Sequence, residues 1–350
     1  MYLADMGAEV IHVESPTRPD LVRIMPPYAN GQATAHSYLN RNKQSITLDL
    51  KDAANIELIK NKISEFDILL EQFRPDVMRR LGLDYETLAE INPRLIYCSI
   101  TGYGQTGAYK DRAGHDINYL ALSGIAGHSG RLERGPPAMG IQIADVAGGS
   151  MHALVAILAA VIERQSSGQG QYIDISMTDC AATLNNMAAA ASLAAGVHAQ
   201  PESGHLNGGT FYDYHQTQDG RYLSIGSLEP QFMQGLAQAL QLPVLLEKGS
   251  SLDAQDQKEV KAAIQEKIRS KTLNEWQTIF DALDVCVEPV LHLDEALTSQ
   301  LAQERGWVVH VPVKAGEQET EPQLACPIKF SRSSSRYDFM GQALGESEQW

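Results

Sequence analysis

The first half of the chain alternates two hydrophobic periods, and this limits its fold more than any other feature. The stretches "AEVIHV", "SITLDL", "DILLEQF" and "RLIYCSI" read as strands. Among them "AANIELIKNKISEF" carries apolar residues at helical spacing, and "VMRRL" and "YETLAEI" read as short helices. Repeated strand–helix units bury their apolar faces as an α/β parallel sheet with helices on both sides. Such sheets take ligands at the carboxyl ends of their strands. The segments "EQFRPD" and "SITGYGQTG" follow strands and are the loops to watch. The opening "MYLADMGAEVIHVESP" runs from a helix end straight into a strand, Ala8 to Val13. A domain of this kind usually has a strand before that helix, so an N-terminal strand and turn are expected to be missing.

The second half changes character. A helix is expected from about Asp145 to Gln165, then a turn at "SSGQGQ", the strand "YIDIS", and an alanine-rich helix over "AATLNNMAAAASLAAG". The loop "VHAQPESGHLNGG" is a natural boundary. After it, "TFYDYHQTQDGRYLSIGS" reads as two strands joined at Asp219-Gly220. "TLNEWQTIFDAL" starts with Thr272 as N-cap and Glu275 three residues on. "VVHVPV" is a strand that can return to the first domain, and "KAGEQETEPQ" is expected as a surface loop.

Charge and cysteine usage exclude several classes. The net charge of -15 argues against non-specific binding to DNA or to anionic membranes. It leaves room for an anionic ligand held by a few local arginines. The four cysteines are scattered with no CxxC pair, so neither a zinc site nor a disulfide framework is indicated. "MHALVAILAAVI", the longest apolar run, is too short to span a bilayer and reads as a buried helix.

Five stretches can carry chemistry. In "AGHDINY", His115 or Asp116 can simply occupy the first turn of a helix. A histidine near a helix N-terminus also tends to be neutral, the state a general base needs. In "QIADVAGGSMHAL", Asp145 is either an N-cap beside small packing residues or a carboxylate that a substrate can approach. Glu229 in "SIGSLEPQF" stands before Pro230 at a helix start, which needs no chemistry to explain it. "EQFRPDVMRRLGLD" supplies Arg74 and Arg80, either a solvated helix face or planar donors for phosphate. "RNKQSITLDL" adds Arg41 and Lys43.

Taken together these stretches resemble the α-methylacyl-CoA racemases, a branch of the family III CoA transferases. "LADMGAEVIHVESP", "RNKQSITLDLK", "EQFRPDVMRRLGL", "NPRLIYCSITGYGQTG", "AGHDINYLALSG", "IADVAGGSMHALVAILAAVIERQSSGQGQYIDISM", "LNGGTFYDYHQTQDGRYLSIGSLEPQF" and "DVCVEPVL" run in family order. The resemblance implies a Rossmann-like large domain (1–198), a smaller α+β domain (199–305) and a C-terminal segment (306–350) that rejoins the first. It also implies an interlocked homodimer with each active site between two protomers. His115 and Asp145 would then be the acid/base pair on opposite faces of an α-carbon, with Glu229 orienting His115. The Asp116 backbone N–H and Tyr119 would lie by the thioester oxygen. Arg74 and Arg80, with Arg41 and Lys43 as weaker candidates, would hold coenzyme A.

No metal or organic cofactor is implied, since CoA is part of the acyl-CoA substrate. No nucleic acid or membrane partner is implied either. The transferases of this family lack the histidine, which favours the racemase branch over a CoA transferase or a non-catalytic CoA-binding relative. Family members often carry an arginine in the segment matching "HVESP", where this chain has Ser15, and an aspartate where it has Asn207. The ending "GESEQW" is not a peroxisomal signal, which points to the cytoplasm.

Overall fold

The computed structural model describes residues 1–347; the final three residues of "GESEQW" lie outside them. Five strands are parallel: β1 (Val10–Glu14), β2 (Lys43–Thr47), β3 (Ile68–Glu71), β4 (Ile96–Thr101) and β5 (Tyr172–Ser176). They form two sheets rather than one, with β1 paired to β2 and β4 central between β3 and β5. Among the described residues nothing pairs with the second edge of β1 or of β3.

Between β2 and β3 runs α1 (Ala53–Lys62), capped by Asp52 through the Ala54 N–H at 2.9 Å. Between β3 and β4 lies α2 (Tyr85–Ile91), capped by Asp84 through the Thr87 N–H at 3.1 Å. Ile56 and Ile59 of α1 and Leu88 of α2 pack with Leu95 and Tyr97 into one core. Their i, i+3 spacing puts a single apolar stripe against the sheet.

The apolar run read as Met151 to Ile162 belongs to a longer helical stretch, Ala144–Ser167. The stretch has 24 residues and its most apolar 18-residue window has mean hydropathy 1.8, so by length and composition alone it could cross a membrane, which the shorter run read from the sequence could not. Its α-helical part, α3 (His152–Ser167), packs Ala153 and Ile157 against Cys98 and Ile175 of the parallel sheet. Its other face leaves Val155 and Ile162 about two-thirds exposed.

The alanine-rich segment is two helices, α4 (Met177–Thr183) and α5 (Asn186–Ala195). The break falls at Asn185, whose amide donates to the Ser123 and Ala182 carbonyls at 2.8 and 3.0 Å. That side chain competes with helix continuation, which alanine propensity alone cannot reveal.

From Phe211 onward an antiparallel sheet forms: β6 (Asp213–Gln216), central β7 (Tyr222–Ile225) and β8 (Val287–Pro289). It buries Phe211, Leu223 and Ile225 with Leu236, Trp276 and Phe280 in a core separate from those of the parallel sheets. The Thr272–Glu275 capping box forms as expected, with the Thr272 N–H donating to Glu275 Oε2 at 2.8 Å.

The strand β9 (Val308–Pro312) pairs antiparallel with β10 (Thr320–Leu324), so part of the expected surface loop is a strand. The chain after it hydrogen-bonds back to the N-terminal segment, from Arg336 N to Asp5 O and from Gly341 N to Ser37 O.

The same region settles Arg41. Its side chain is fully buried and forks onto Asp5, at 2.9 Å from Nε and 2.7 Å from Nη2. Nη1 donates to the Leu324 carbonyl at 2.6 Å, and the rings of Tyr38 and Tyr337 flank the guanidinium. A guanidinium so enclosed has no face left for a phosphate, so Arg41 is a structural residue and not a CoA contact. Lys43 is half-buried and donates to Asn40 Oδ1 at 2.9 Å.

Candidate active site

The carboxyl ends of β3 and β4 open into a cavity of about 640 Å³. Two helical elements complete it: α6 (Asp116–Leu122), which lies between β4 and α3 in the chain, and the π-helix Ala144–Met151 that leads into α3. Both loops singled out in the sequence contribute, through Phe73 and Arg74 on one side and Gly102 and Tyr103 on the other.

His115 and Asp145, 30 residues apart in sequence, line this one cavity. His115 is the N-cap of α6, with extended backbone, and its N–H donates to Asn118 Oδ1 at 3.0 Å. Asp145 is not an N-cap; it is the second residue of the π-helix. In that wider helix Ser150 Oγ donates to the Asp145 carbonyl, five residues back, at 3.1 Å. π-Helical turns recur at functional sites. Burial pushes the Asp145 carboxyl above its ordinary range and the Asp116 carboxylate adds to this, while His115 pulls the other way.

Tyr119 lines the cavity but is nearly buried, and its hydroxyl donates to the Gly114 carbonyl at 2.6 Å. Tyr119 thus stands in the same wall as His115 and Asp145, as expected of its position, with its hydroxyl proton engaged by the Gly114 carbonyl. Its ring stands edge-on to Tyr103, with centroids 5.2 Å apart. A Cβ on Gly114 would sit 2.6 Å from both tyrosines, and one on Gly102 would sit 2.6 Å from Tyr119. Glycine at these positions lets the strand-end loop and the His115 turn close over the rings. Gly114→Ala is therefore expected to displace the residue next to His115 and lower turnover about 10²-fold. Steady-state kinetics checks this, and turnover within twofold of wild type would refute it.

Arg74 lines the cavity and forms no side-chain hydrogen bond or ion pair among the described residues. Sequence reasoning missed Lys110 and Arg112, which share the wall. Lys110 pairs with Asp76 at 2.6 Å, and Arg112 lies over the Tyr109 ring at 3.7 Å. The "YKDR" run following "GYGQTG" was the signal available for both. Arg80 is exposed and does not line the cavity. Glu229 is exposed at the start of α7 (Pro230–Leu240), and within one chain it makes no hydrogen bond to His115. Asn207 accepts from the Gly204 N–H at 2.7 Å and donates to the His128 and Gln200 carbonyls. An aspartate there would lack those two donors, so Asn207 serves loop structure. A second cavity, about 490 Å³ between Tyr38 and β10, has mainly apolar walls and holds no acid/base pair.

The match to known proteins extends over the whole of this architecture. The model of CoA-transferase family III matches residues 1–346. The chain belongs to that family. It is 37% identical to the alpha-methylacyl-CoA racemase of Mus musculus, covering 93% of this chain and 80% of the relative. It is 31% identical to the succinyl-CoA:glutarate CoA-transferase of Homo sapiens, covering 96% and 78%. A crystal structure of a CAIB/BAIF family protein from Brucella suis superposes with a TM-score of 0.82 at 29% identity, covering 98% of this chain and 91% of that one. This family III chain is thus an enzyme of the CoA-transferase/racemase class, and its cavity is lined by the imidazole of His115 and the carboxylate of Asp145.

Proposed function

We propose that the protein interconverts (2R)- and (2S)-2-methylacyl-CoA thioesters by 1,1-proton transfer. The observation that carries this is the joint placement of an imidazole and a carboxylate in one cavity whose wall also holds Arg74, Lys110 and Arg112. Inverting a carbon through its proton requires a base on one face and an acid on the other. His115 or Asp145 takes the α-proton, the electron pair moves into the thioester carbonyl to give an enolate, and the opposite group returns a proton. The first N–H of α6, on Asp116, has no intrahelical acceptor and suits the developing oxyanion. The thioester acidifies the α-proton, so the reaction requires neither a metal nor an organic cofactor. The cationic wall suits the phosphates of CoA despite the chain's net negative charge. On this reading the large domain ends near residue 198 and the small one near 305.

Self-association belongs to the same proposal. Leu193 and Met187 on α5 and Ile162 on α3 are large apolar residues about two-thirds exposed or more. Exposed apolar surface of this kind marks interaction sites. A dimer burying it would supply the Glu229 of the partner subunit to orient His115. The CoA-transferase relatives support a second reading, in which Asp145 attacks the thioester carbonyl, the C–S bond breaks to release the CoA thiolate, and a mixed anhydride is left on Asp145. Trapping of a hydroxamate at Asp145 by hydroxylamine would establish that alternative.

The deciding experiment is incubation with a 2-methylacyl-CoA in deuterium oxide. Deuterium is expected at the α-carbon of both epimers, and its absence from both sinks the proposal. Arg74→Ala is expected to raise KM about tenfold with kcat nearly unchanged, because a phosphate contact binds ground and transition states alike. A fall in kcat at constant KM would contradict that role. In the direction where Asp145 is the base, it must be ionised. Its raised pKa therefore places the acidic limb of kcat/KM above the ordinary carboxylate range, with rate falling as pH falls through it. A pH profile flat down to the ordinary carboxylate range would argue against Asp145 as that base.

A further inference from the structure

We infer that the Asp116 carboxylate is a positioning residue that sets Asp145 by capping the π-helix from outside. Oδ1 of Asp116 accepts two backbone hydrogen bonds, from Ala144 N at 2.6 Å and from Asp145 N at 3.1 Å. These are the first two residues of the π-helix, whose own N-cap, Ile143, has no side chain able to accept. The first N–H groups of any helix lack internal acceptors, and a carboxylate at that end also meets the positive pole of the helix dipole. From there the Asp116 carboxylate lies close enough to Asp145 to raise the proton affinity of its side chain. Among the described residues Asp116 takes part in no ion pair. Two backbone donors, rather than a cation, hold it there.

The geometry couples the two halves of the site. Asp116 directly follows His115 and opens α6, so one residue ties the turn carrying the first base to the backbone of the second. A shift of that tether changes where Asp145 stands relative to a substrate carbon, while His115 keeps its own contact with Asn118. The inference rests on the racemase reading and adds to it an asymmetry. Loss of the Asp116 side chain should damage proton transfer on the Asp145 face and spare transfer on the His115 face.

The test compares α-deuterium wash-in from each pure epimer for the wild type, Asp145→Asn, Asp116→Ala and Asp116→Asn. Asp145→Asn identifies the epimer whose proton Asp145 removes. Asp116→Ala keeps the backbone N–H, so any oxyanion contact survives. It is expected to slow wash-in from that epimer about 10²-fold, while wash-in from the other stays within threefold. Asp116→Asn retains an acceptor oxygen and is expected to recover most of the loss. If Asp116→Ala does not fold, the isosteric Asp116→Asn carries the test through a smaller loss on the same side. Equal losses from both epimers, or no loss, overturn the inference. If the wild type exchanges neither epimer, the racemase reading falls and this inference falls with it.

Discussion

Asp145→Asn lowers the rate of epimer interconversion about 10²–10⁴-fold, the range expected for loss of a positioned acid or base. The substitution keeps size and shape, so packing around the π-helix changes little. An amide neither gives nor takes a proton near neutral pH, and inversion needs both faces of the α-carbon served. His115→Gln has a comparable effect for the same reason. The double variant is expected to be little worse than either single one, because groups acting as a unit lose their joint effect when one is removed. Chiral analysis of product from each pure epimer measures this. Inversion by Asp145→Asn at the wild-type rate would exclude Asp145 from proton transfer.

Arg41→Ala should cost about 3–5 kcal/mol of folding stability, the usual consequence of leaving one partner of a buried ion pair uncompensated. Both side chains of the Arg41–Asp5 pair are wholly shielded from water. Removing the guanidinium strands Asp5 with only the Asn42 amide, at 3.1 Å, and removes the donor that reaches Leu324. That donor links the N-terminal segment to β10, so the loss is felt across both. The Arg41→Ala/Asp5→Ala double variant should lose less than the sum of the single losses, because no charge is then left buried. Urea unfolding at neutral pH is the measurement. A loss below about 1 kcal/mol would mean that the pair behaves like an exposed one.

The contrast between these two sites shows what could be read in advance. His115 and Asp145 stood out because each lies in a short stretch with its own chemistry, a histidine at a helix start and a carboxylate beside glycines. The strands, the Thr272–Glu275 box and the Asp219-Gly220 turn were equally legible, since each depends on residues within a few positions. Arg41 looked like a phosphate ligand because burial is not a local property. Its partner Asp5 lies 36 residues away, and its other contact, Leu324, lies 283 away.

The remaining differences share that cause. The chain itself specified periodicity, caps and turns, because backbone propensity and side-chain-to-backbone bonds act over one or two turns of chain. Folding settled which edges pair, so that the parallel strands form two sheets, and which polar groups are used up inside, as with Tyr119 on Gly114. It also settled that Asp116, read as a neighbour of the reacting oxygen, spends its carboxylate on the backbone of Asp145, 29 residues on. Such contacts depend on desolvation and approach distance in three dimensions, and neither is encoded in any single stretch.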